Sequence, residues 1–253
     1  MDDINIEEIK TLARRAGEKT LEIYNKDFSV EYKDDQSPLT EADLASHKII
    51  IENLENLYPD IPILSEESKE IPYLQRKDWD VFWLVDPLDG TKEFTKKRGE
   101  FTVNIALIKG NKPVLGVVYA PVKDITYYGS LNGSFKQVGN IKPQELPLEQ
   151  DKSKNAKLRV VASKSHFTPE TKEYIENLAR DYELVSIGSS LKICLVAEGA
   201  ADIYPRLGPT MEWDTAAAHA VVKGAGKNIY KFETNEELVY NKQDLRNPWF
   251  IVK

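Results

Sequence analysis

The first stretch of the chain carries its apolar residues at helical spacing. Ile6, Ile9, Leu12, Ala13, Ala16, Thr20, Ile23 and Tyr24 recur every three or four positions with charges between them, which predicts an amphipathic helix. Phe28 to Lys33 alternates as a strand does. After Ser37-Pro38 the helical period returns from Glu41 to Leu57 through Ala45, Ile49, Leu54 and Leu57. Two short apolar runs follow, Ile61 to Leu64 and Val81 to Val85, each ending in acidic residues. Phe101 to Ile108, Val114 to Tyr119, Ile125 to Tyr128 and Phe135 to Val138 are then separated by Gly, Pro and Asn, the pattern of an antiparallel meander.

Residues 140–157 (NIKPQELPLEQDKSKNAK) turn polar and proline-bearing, and are read as a linker. It would separate an N-terminal α+β domain, 1–139, from a C-terminal α/β domain, 158–253. Beyond it, elements alternate: strand Leu158 to Ala162, helix Pro169 to Asp181, strand Glu183 to Ile187, helix Ser189 to Glu198, strand Ala201 to Tyr204 and helix Trp213 to Val222. Pro169 suits a first helical position, where its missing N–H costs nothing. Trp249 to Val252 reads as a closing strand. Alternation of this kind indicates an α/β half.

Composition narrows the function classes. The 253 residues hold 34 Lys and Arg against 41 Asp and Glu, a net charge of −7. That balance offers no general attraction to a nucleic acid polymer or an anionic membrane, so an anionic ligand must be held by local groups. Cys194 is the single cysteine, which excludes an intrachain disulfide and a cysteine metal cage. The opening MDDINIEEIK lacks the apolar run of a signal peptide, and no stretch approaches about 18 apolar residues. A cytoplasmic protein without a transmembrane segment is expected; peripheral inner-membrane association and oligomeric state stay open.

The chemistry concentrates where apolar runs meet carboxylates. In Trp83-Leu84-Val85-Asp86-Pro87-Leu88-Asp89-Gly90-Thr91 a strand enters two aspartates three positions apart. Pro87 constrains the backbone and Gly90 frees it. Asp86, Asp89 and the Leu88 carbonyl are hard oxygen ligands of the kind Mg²⁺ prefers, yet the same residues also make an ordinary turn. Ile63-Leu64-Ser65-Glu66-Glu67-Ser68 is a second strand ending in acids. Asp214, in Met211-Glu212-Trp213-Asp214-Thr215-Ala216, fits a helix cap equally well, and so does Asp43 in Leu39-Thr40-Glu41-Ala42-Asp43. Carboxylates that met in space would need cations to offset their repulsion.

These motifs resemble those of the lithium-sensitive, Mg²⁺-dependent phosphatase superfamily that includes inositol monophosphatase and fructose bisphosphatase. Asp86-Pro87-Leu88-Asp89-Gly90-Thr91 matches its D-P-[LI]-D-G-[TS] motif throughout, and Trp213-Asp214-Thr215-Ala216-Ala217 matches W-D-x-A-A. Glu66-Glu67-Ser68 and Thr40-Glu41-Ala42-Asp43 complete the pattern. The resemblance implies a layered α/β/α/β/α fold and two or three Mg²⁺ ions. Glu66, Asp86 and the Leu88 carbonyl would hold the first, and Asp86, Asp89 and Asp214 the second. Asp43, Glu66 and Thr91 would serve catalysis by orienting a water.

The stretches Asp89-Gly90-Thr91-Lys92-Glu93-Phe94 and Gly188-Ser189-Ser190-Leu191-Lys192, with Tyr204-Pro205-Arg206, resemble the bacterial bisphosphate nucleotidase branch. That branch implies removal of the 3'-phosphate of adenosine 3',5'-bisphosphate, a by-product of sulfate activation, to leave AMP. Substrate would meet Glu66, Leu88, Asp89, Gly90, Thr91 and Asp214 at the metals. Ser189, Ser190, Lys192 and Arg206 would serve the second phosphate, with Ser163 and His166 bordering the nucleotide. An inositol or sugar monophosphatase is the alternative, and a non-catalytic divalent-ion or nucleotide binder a third. Lys96-Lys97-Arg98 reads as a solvated turn, His47 and His219 as packed or surface residues, and Cys194 as an inert core thiol.

Overall fold

The computed structural model describes residues 4–32, 38–148, 157–162 and 168–253. Helix α1 spans Ile6–Tyr24, and the Asn5 side chain caps it by accepting from the Glu7 N–H. A two-stranded antiparallel pair, β1 (Val30–Tyr32) and β2 (Pro38–Thr40), leads into α2 (Glu41–Leu57). Strand β3 (Ile63–Ser65), the short α3 (Tyr73–Arg76), β4 (Val81–Asp89) and the short α4 (Thr91–Thr95) follow. The meander comes next: β5 (Thr102–Lys109), β6 (Lys112–Ala120), β7 (Ile125–Ser130), β8 (Gly133–Val138) and β9 (Gln144–Glu145). With β3 and β4 it forms one seven-stranded sheet in chain order, antiparallel except where β3 pairs with β4.

Both faces of that sheet are covered, which is why its strands read as unbroken apolar runs rather than alternating ones. Trp83, Val85, Val103, Ile105 and Val117 pack against Ile9, Leu12, Ile50 and Leu54 of α1 and α2. Their neighbours in sequence, Phe82, Leu84, Ala106 and Val118, face the other way. There they meet the C-terminal half: β10 (Leu158–Ala162), α5 (Pro169–Glu176), β11 (Tyr182–Ser186), α6 (Leu191–Ala197), β12 (Tyr204–Arg206), α7 (Trp213–Gly224), β13 (Ile229–Lys231) and β14 (Phe250–Val252). Helices α6 and α7 lie on the large sheet, with Cys194, Ala216, Ala217, Val221 and Val222 in the shared core. Strands β10 to β14 form the next layer, and α5 caps it through Ile175 against Val160, Ile203 and Ile251. The order is α/β/α/β/α, as the resemblance implied.

Several expected boundaries move. The stretch read as linker begins inside the sheet: Gln144–Glu145 pair with β8, and Leu146 is buried. Its polar sequence suits an edge strand with both faces wet, which carries no apolar alternation. Residues 149–156 lie outside the described residues. The helix expected over Pro169 to Asp181 stops at Glu176, and Ala179 takes a left-handed φ of 49°. The helix expected from Ser189 starts at Leu191, because Ser189 itself is left-handed at φ 50°. The strand expected over Ala201 to Tyr204 forms at Tyr204–Arg206 instead. Asp202 is turned to Arg159, accepting from its backbone N–H at 2.8 Å and from its guanidinium. Pro205 is tolerated because β12 is an edge strand.

Candidate active site

Asp86 and Asp89 are three residues apart, so an ordinary strand would point them to opposite faces. The pairing of β4 with β5 corrects this. Asp86 opposes Asn104 and Asp89 opposes Thr102, with a register shift between them. Three steps on β4 match two on β5, and this bulge returns both carboxylates to one face. Pro87, which has no N–H to give the ladder, sits in the bulge. Gly90 follows at φ 96°, and a Cβ there would stand 3.0 Å from the Glu100 carbonyl. The Asp-Pro-Leu-Asp-Gly order is thus a bulged strand end and not merely a turn.

Glu66 continues β3 beside this bulge, its N–H donating to the Val85 carbonyl at 3.1 Å. Asp214 enters from the first turn of α7, with Oδ2 accepting from the Met211 N–H at 2.8 Å. One carboxylate oxygen from each of Glu66, Asp86 and Asp214 lies within 4.8 Å of the others. Burial pushes the carboxyls of Asp86 and Asp214 well above the usual range, and the charges of neighbouring acids push further. Asp86 Oδ1 accepts from the Leu88 N–H at 3.0 Å, while its Oδ2 is buried without a hydrogen-bond partner. An orphaned anionic oxygen among buried carboxylates fits a hard divalent cation, which would satisfy that atom and offset the repulsion.

Helix α2 grips the same region with one face. Asp43 completes a capping box, its Oδ2 accepting from the Thr40 N–H at 2.8 Å and the Thr40 hydroxyl at 2.6 Å. Its other oxygen accepts from the Thr91 hydroxyl at 3.0 Å, so the helix-start role occupies one oxygen and leaves the other to meet Thr91. The Thr91 oxygen also lies 3.2 Å from the Leu88 carbonyl. Burial raises the Asp43 carboxyl against the hydrogen bonds from Thr40. Ser46 donates to the Pro87 carbonyl at 2.7 Å, and the His47 ring meets the Ser65 hydroxyl at 3.0 Å. Sequence reasoning left His47 as a packed or surface residue and did not single out Ser46. Their signal was their place one helical turn after Asp43.

Glu66, Asp86, Thr91 and Asp214 line a cavity of ≈ 540 Å³ that also takes in the cations Lys192 and Arg206. Lys192 Nζ donates to the Ser189 carbonyl at 2.7 Å, and burial lowers its pKa. Arg206 is 8% exposed; one terminal nitrogen donates to the Pro209 carbonyl at 2.7 Å, and its Nε has no partner. The Ser189 hydroxyl, also on the wall, is buried without a partner. Ser190 also lines the cavity, and its hydroxyl lies 2.7 Å from Asp89 Oδ2. Gly90, Leu88 and Thr91 line the cavity as expected, as does Asp89, which stands outside the three-carboxylate convergence. Ser163 and His166 lie outside the described residues. Cys194 is a buried thiol, its pKa raised by burial.

A layered α/β/α/β/α fold with metal-ready carboxylates at its cleft defines the class of divalent-cation-dependent phosphatases. The chain belongs to the inositol monophosphatase family, whose model matches residues 4–248, a family that is Mg²⁺-dependent and lithium-sensitive. The 3'(2'),5'-bisphosphate nucleotidase CysQ of Salmonella typhimurium is 46% identical over 249 residues, 98% of this chain and 98% of its own. The crystal structure of CysQ from Bacteroides thetaiotaomicron, a bacterial member of the family, superposes with a TM-score of 0.86 at 46% identity, over 96% of this chain and 94% of that one. The Thermotoga maritima IMPase, 23% identical with a TM-score of 0.78 over 100% of this chain and 92% of its own, shares the fold.

Proposed function

We propose that this protein is a Mg²⁺-dependent phosphomonoesterase that removes the 3'-phosphate of adenosine 3',5'-bisphosphate, giving AMP and phosphate. One observation carries the reading: a single cavity is lined both by the carboxylates Glu66, Asp86, Asp89 and Asp214 and by the Lys192 and Arg206 cations. A bisphosphorylated nucleotide needs both, one phosphate to react and one to be held. The bisphosphate nucleotidases that resemble this chain along 98% of its length support the choice of substrate. The proposed reaction is cytoplasmic. Among the described residues no helix is long and apolar enough to cross a membrane.

Glu66, Asp86 and the Leu88 carbonyl would hold one Mg²⁺, and Asp86, Asp89 and Asp214 a second, with room for a weaker third. Bound there, Mg²⁺ lowers the pKa of a water and neutralises phosphate oxygens. The chain's own part begins at Thr91. Its hydroxyl proton is committed to Asp43, so the oxygen is left as an acceptor for a water in the cavity. That water attacks phosphorus in line with the leaving 3'-oxygen as the P–O3' bond breaks; its proton passes through Thr91 to Asp43, and the departing 3'-oxygen takes a proton from solvent water. The raised Asp43 carboxyl is suited to receive it. Lys192, Arg206 and the free Ser189 hydroxyl hold the 5'-phosphate, fixing which end of the nucleotide reacts.

The test is phosphate release from adenosine 3',5'-bisphosphate and from inositol 1-phosphate, with Mg²⁺ and with excess chelator. Strong preference for the bisphosphate, lost in chelator, is expected. Lys192→Ala and Arg206→Ala should each raise the Michaelis constant for the bisphosphate about ten- to a hundredfold, the scale of a charge-assisted hydrogen bond. Equal cleavage of inositol 1-phosphate, with neither substitution mattering, favours the inositol phosphatase alternative. No phosphate release from either substrate leaves the binding protein.

A further inference from the structure

Asn104 is a polar residue in the middle of the apolar strand β5, 1% exposed and set opposite Asp86 in the ladder. It does not line the cavity. Its Nδ2 donates to the Ser190 hydroxyl oxygen at 2.7 Å. That hydroxyl in turn lies 2.7 Å from Asp89 Oδ2 and 3.1 Å from the Asp214 carbonyl. A serine hydroxyl has one proton to give. With the Asn104 amide donating, the proton is free for the shorter, charge-assisted contact to Asp89. The opposite amide orientation would leave Ser190 facing two acceptors at 2.7 Å with one proton between them. The orientation in the structure satisfies both contacts, at the cost of leaving Asn104 Oδ1 buried without a partner.

We propose that Asn104, acting through Ser190, is a positioning residue for the Asp89 carboxylate, and that Ser190 serves the metal end of the cavity and not the substrate's second phosphate. The proposal rests on the reading of Asp89 as a metal ligand. Its physical content is a relay from the large sheet, through the start of α6, to a carboxylate at the bulge. The relay crosses the interface between the two halves of the chain, and the Asp214 carbonyl within 3.1 Å brings the first turn of α7 against it. Ser190 gives the Asp89 carboxylate a hydrogen-bond donor of fixed direction, where its other charged neighbours, Asp86, Asp214 and Lys192, act through charge alone.

Calorimetric titration of Mg²⁺ alone, without substrate, tests it. Ser190→Ala and Asn104→Ala should each weaken Mg²⁺ binding about tenfold. The double variant should be no worse than the worse single one, because both break the same chain. The Michaelis constant for the bisphosphate, at saturating Mg²⁺, should move less than twofold in Asn104→Ala. Unchanged Mg²⁺ affinity in Asn104→Ala overturns the relay, as does a raised Michaelis constant in Ser190→Ala with normal metal binding. If an alanine variant fails to fold, Ser190→Cys, close in volume and a weak donor, takes its place. Mg²⁺ affinity equal to the unsubstituted protein's would overturn the relay there too. No Mg²⁺ binding by the unsubstituted chain would overturn both the relay and the metal reading beneath it.

Discussion

At the scale of single residues, burial decides what a polar group can do. His219 is fully enclosed by α7 and its neighbours, its ring between the Tyr240 hydroxyl at 2.9 Å and the Asn228 side chain at 2.6 Å. Glu237 stands 3.7 Å away and favours the charged ring. Desolvation outweighs it and, with Lys223 and Lys112 nearby, lowers the pKa to about 4. The unfolded chain therefore binds the proton more tightly, since a free imidazole titrates near 6.5. Stability from neutral His219 is complete above about pH 6.5 and is lost as pH falls toward 4, by roughly 3 kcal/mol. His219→Asn should thus show a shallower loss of stability across that window, measured by urea unfolding at a series of pH values. Identical slopes for the two proteins would remove His219 as the cause.

At the scale of elements, α7 is held by how closely it can approach the sheet. Its alanines, Ala216, Ala217 and Ala218, are buried, and Gly116 of β6 lies directly beneath. A Cβ on Gly116 would stand 2.1 Å from the Ala217 carbonyl oxygen and 2.8 Å from its carbon. Backbone cannot yield as a side-chain tip can, so Gly116→Ala must lift the helix. Overpacking of this sort costs about 1–3 kcal/mol. Asp214 is on the first turn of that helix, so the lift also carries it away from Glu66 and Asp86. Gly116→Ala should lower the denaturant midpoint and weaken Mg²⁺ activation together. A destabilised variant with unaltered Mg²⁺ dependence would show that α7 shifts without moving its first turn.

At the scale of the whole molecule, the halves of the chain share one interior. A single apolar cluster joins Leu64, Phe82, Leu84 and Val118 of the first half to Val161, Leu191, Val221 and Val252 of the second. The cleft is built the same way, with Glu66, Asp86 and Asp89 from the first half and Lys192, Arg206 and Asp214 from the second. Neither half would bury its core alone, so one cooperative unfolding transition is expected. Tryptophan fluorescence, reporting Trp79 and Trp83 in the first half and Trp213 and Trp249 in the second, should coincide with far-ultraviolet circular dichroism in urea. Two separated transitions would mean that the division of the chain is also a division of stability. Because the net charge is −7, attraction for a phosphorylated ligand must come from the Lys192 wall and bound cations, not from the overall field.

The sequence by itself determined what is local. Periodicity sufficed for α1 and for α2, whose boundaries, Glu41–Leu57, coincide with the expected ones. It sufficed for the meander, because a strand buried on both faces leaves an apolar run. The motif order sufficed for the family through its resemblance, since by themselves Asp, Pro and Gly at those spacings also make an ordinary turn. The edge strand β9 and the left-handed start at Ser189 were not legible, for neither leaves a periodic trace. Asn104 stood in plain view inside Phe101-Thr102-Val103-Asn104-Ile105-Ala106, yet a polar residue in an apolar strand has no meaning until its partner is known. Ser190 is the opposite case: its place before Lys192 suggested phosphate, and only the fold sets its hydroxyl 2.7 Å from Asp89 Oδ2. Which carboxylates converge, which hydroxyl stays free and which glycine lies under a helix are decided by contacts between residues a hundred positions apart. Local pattern cannot encode those distances, because they come into being only when the layers close.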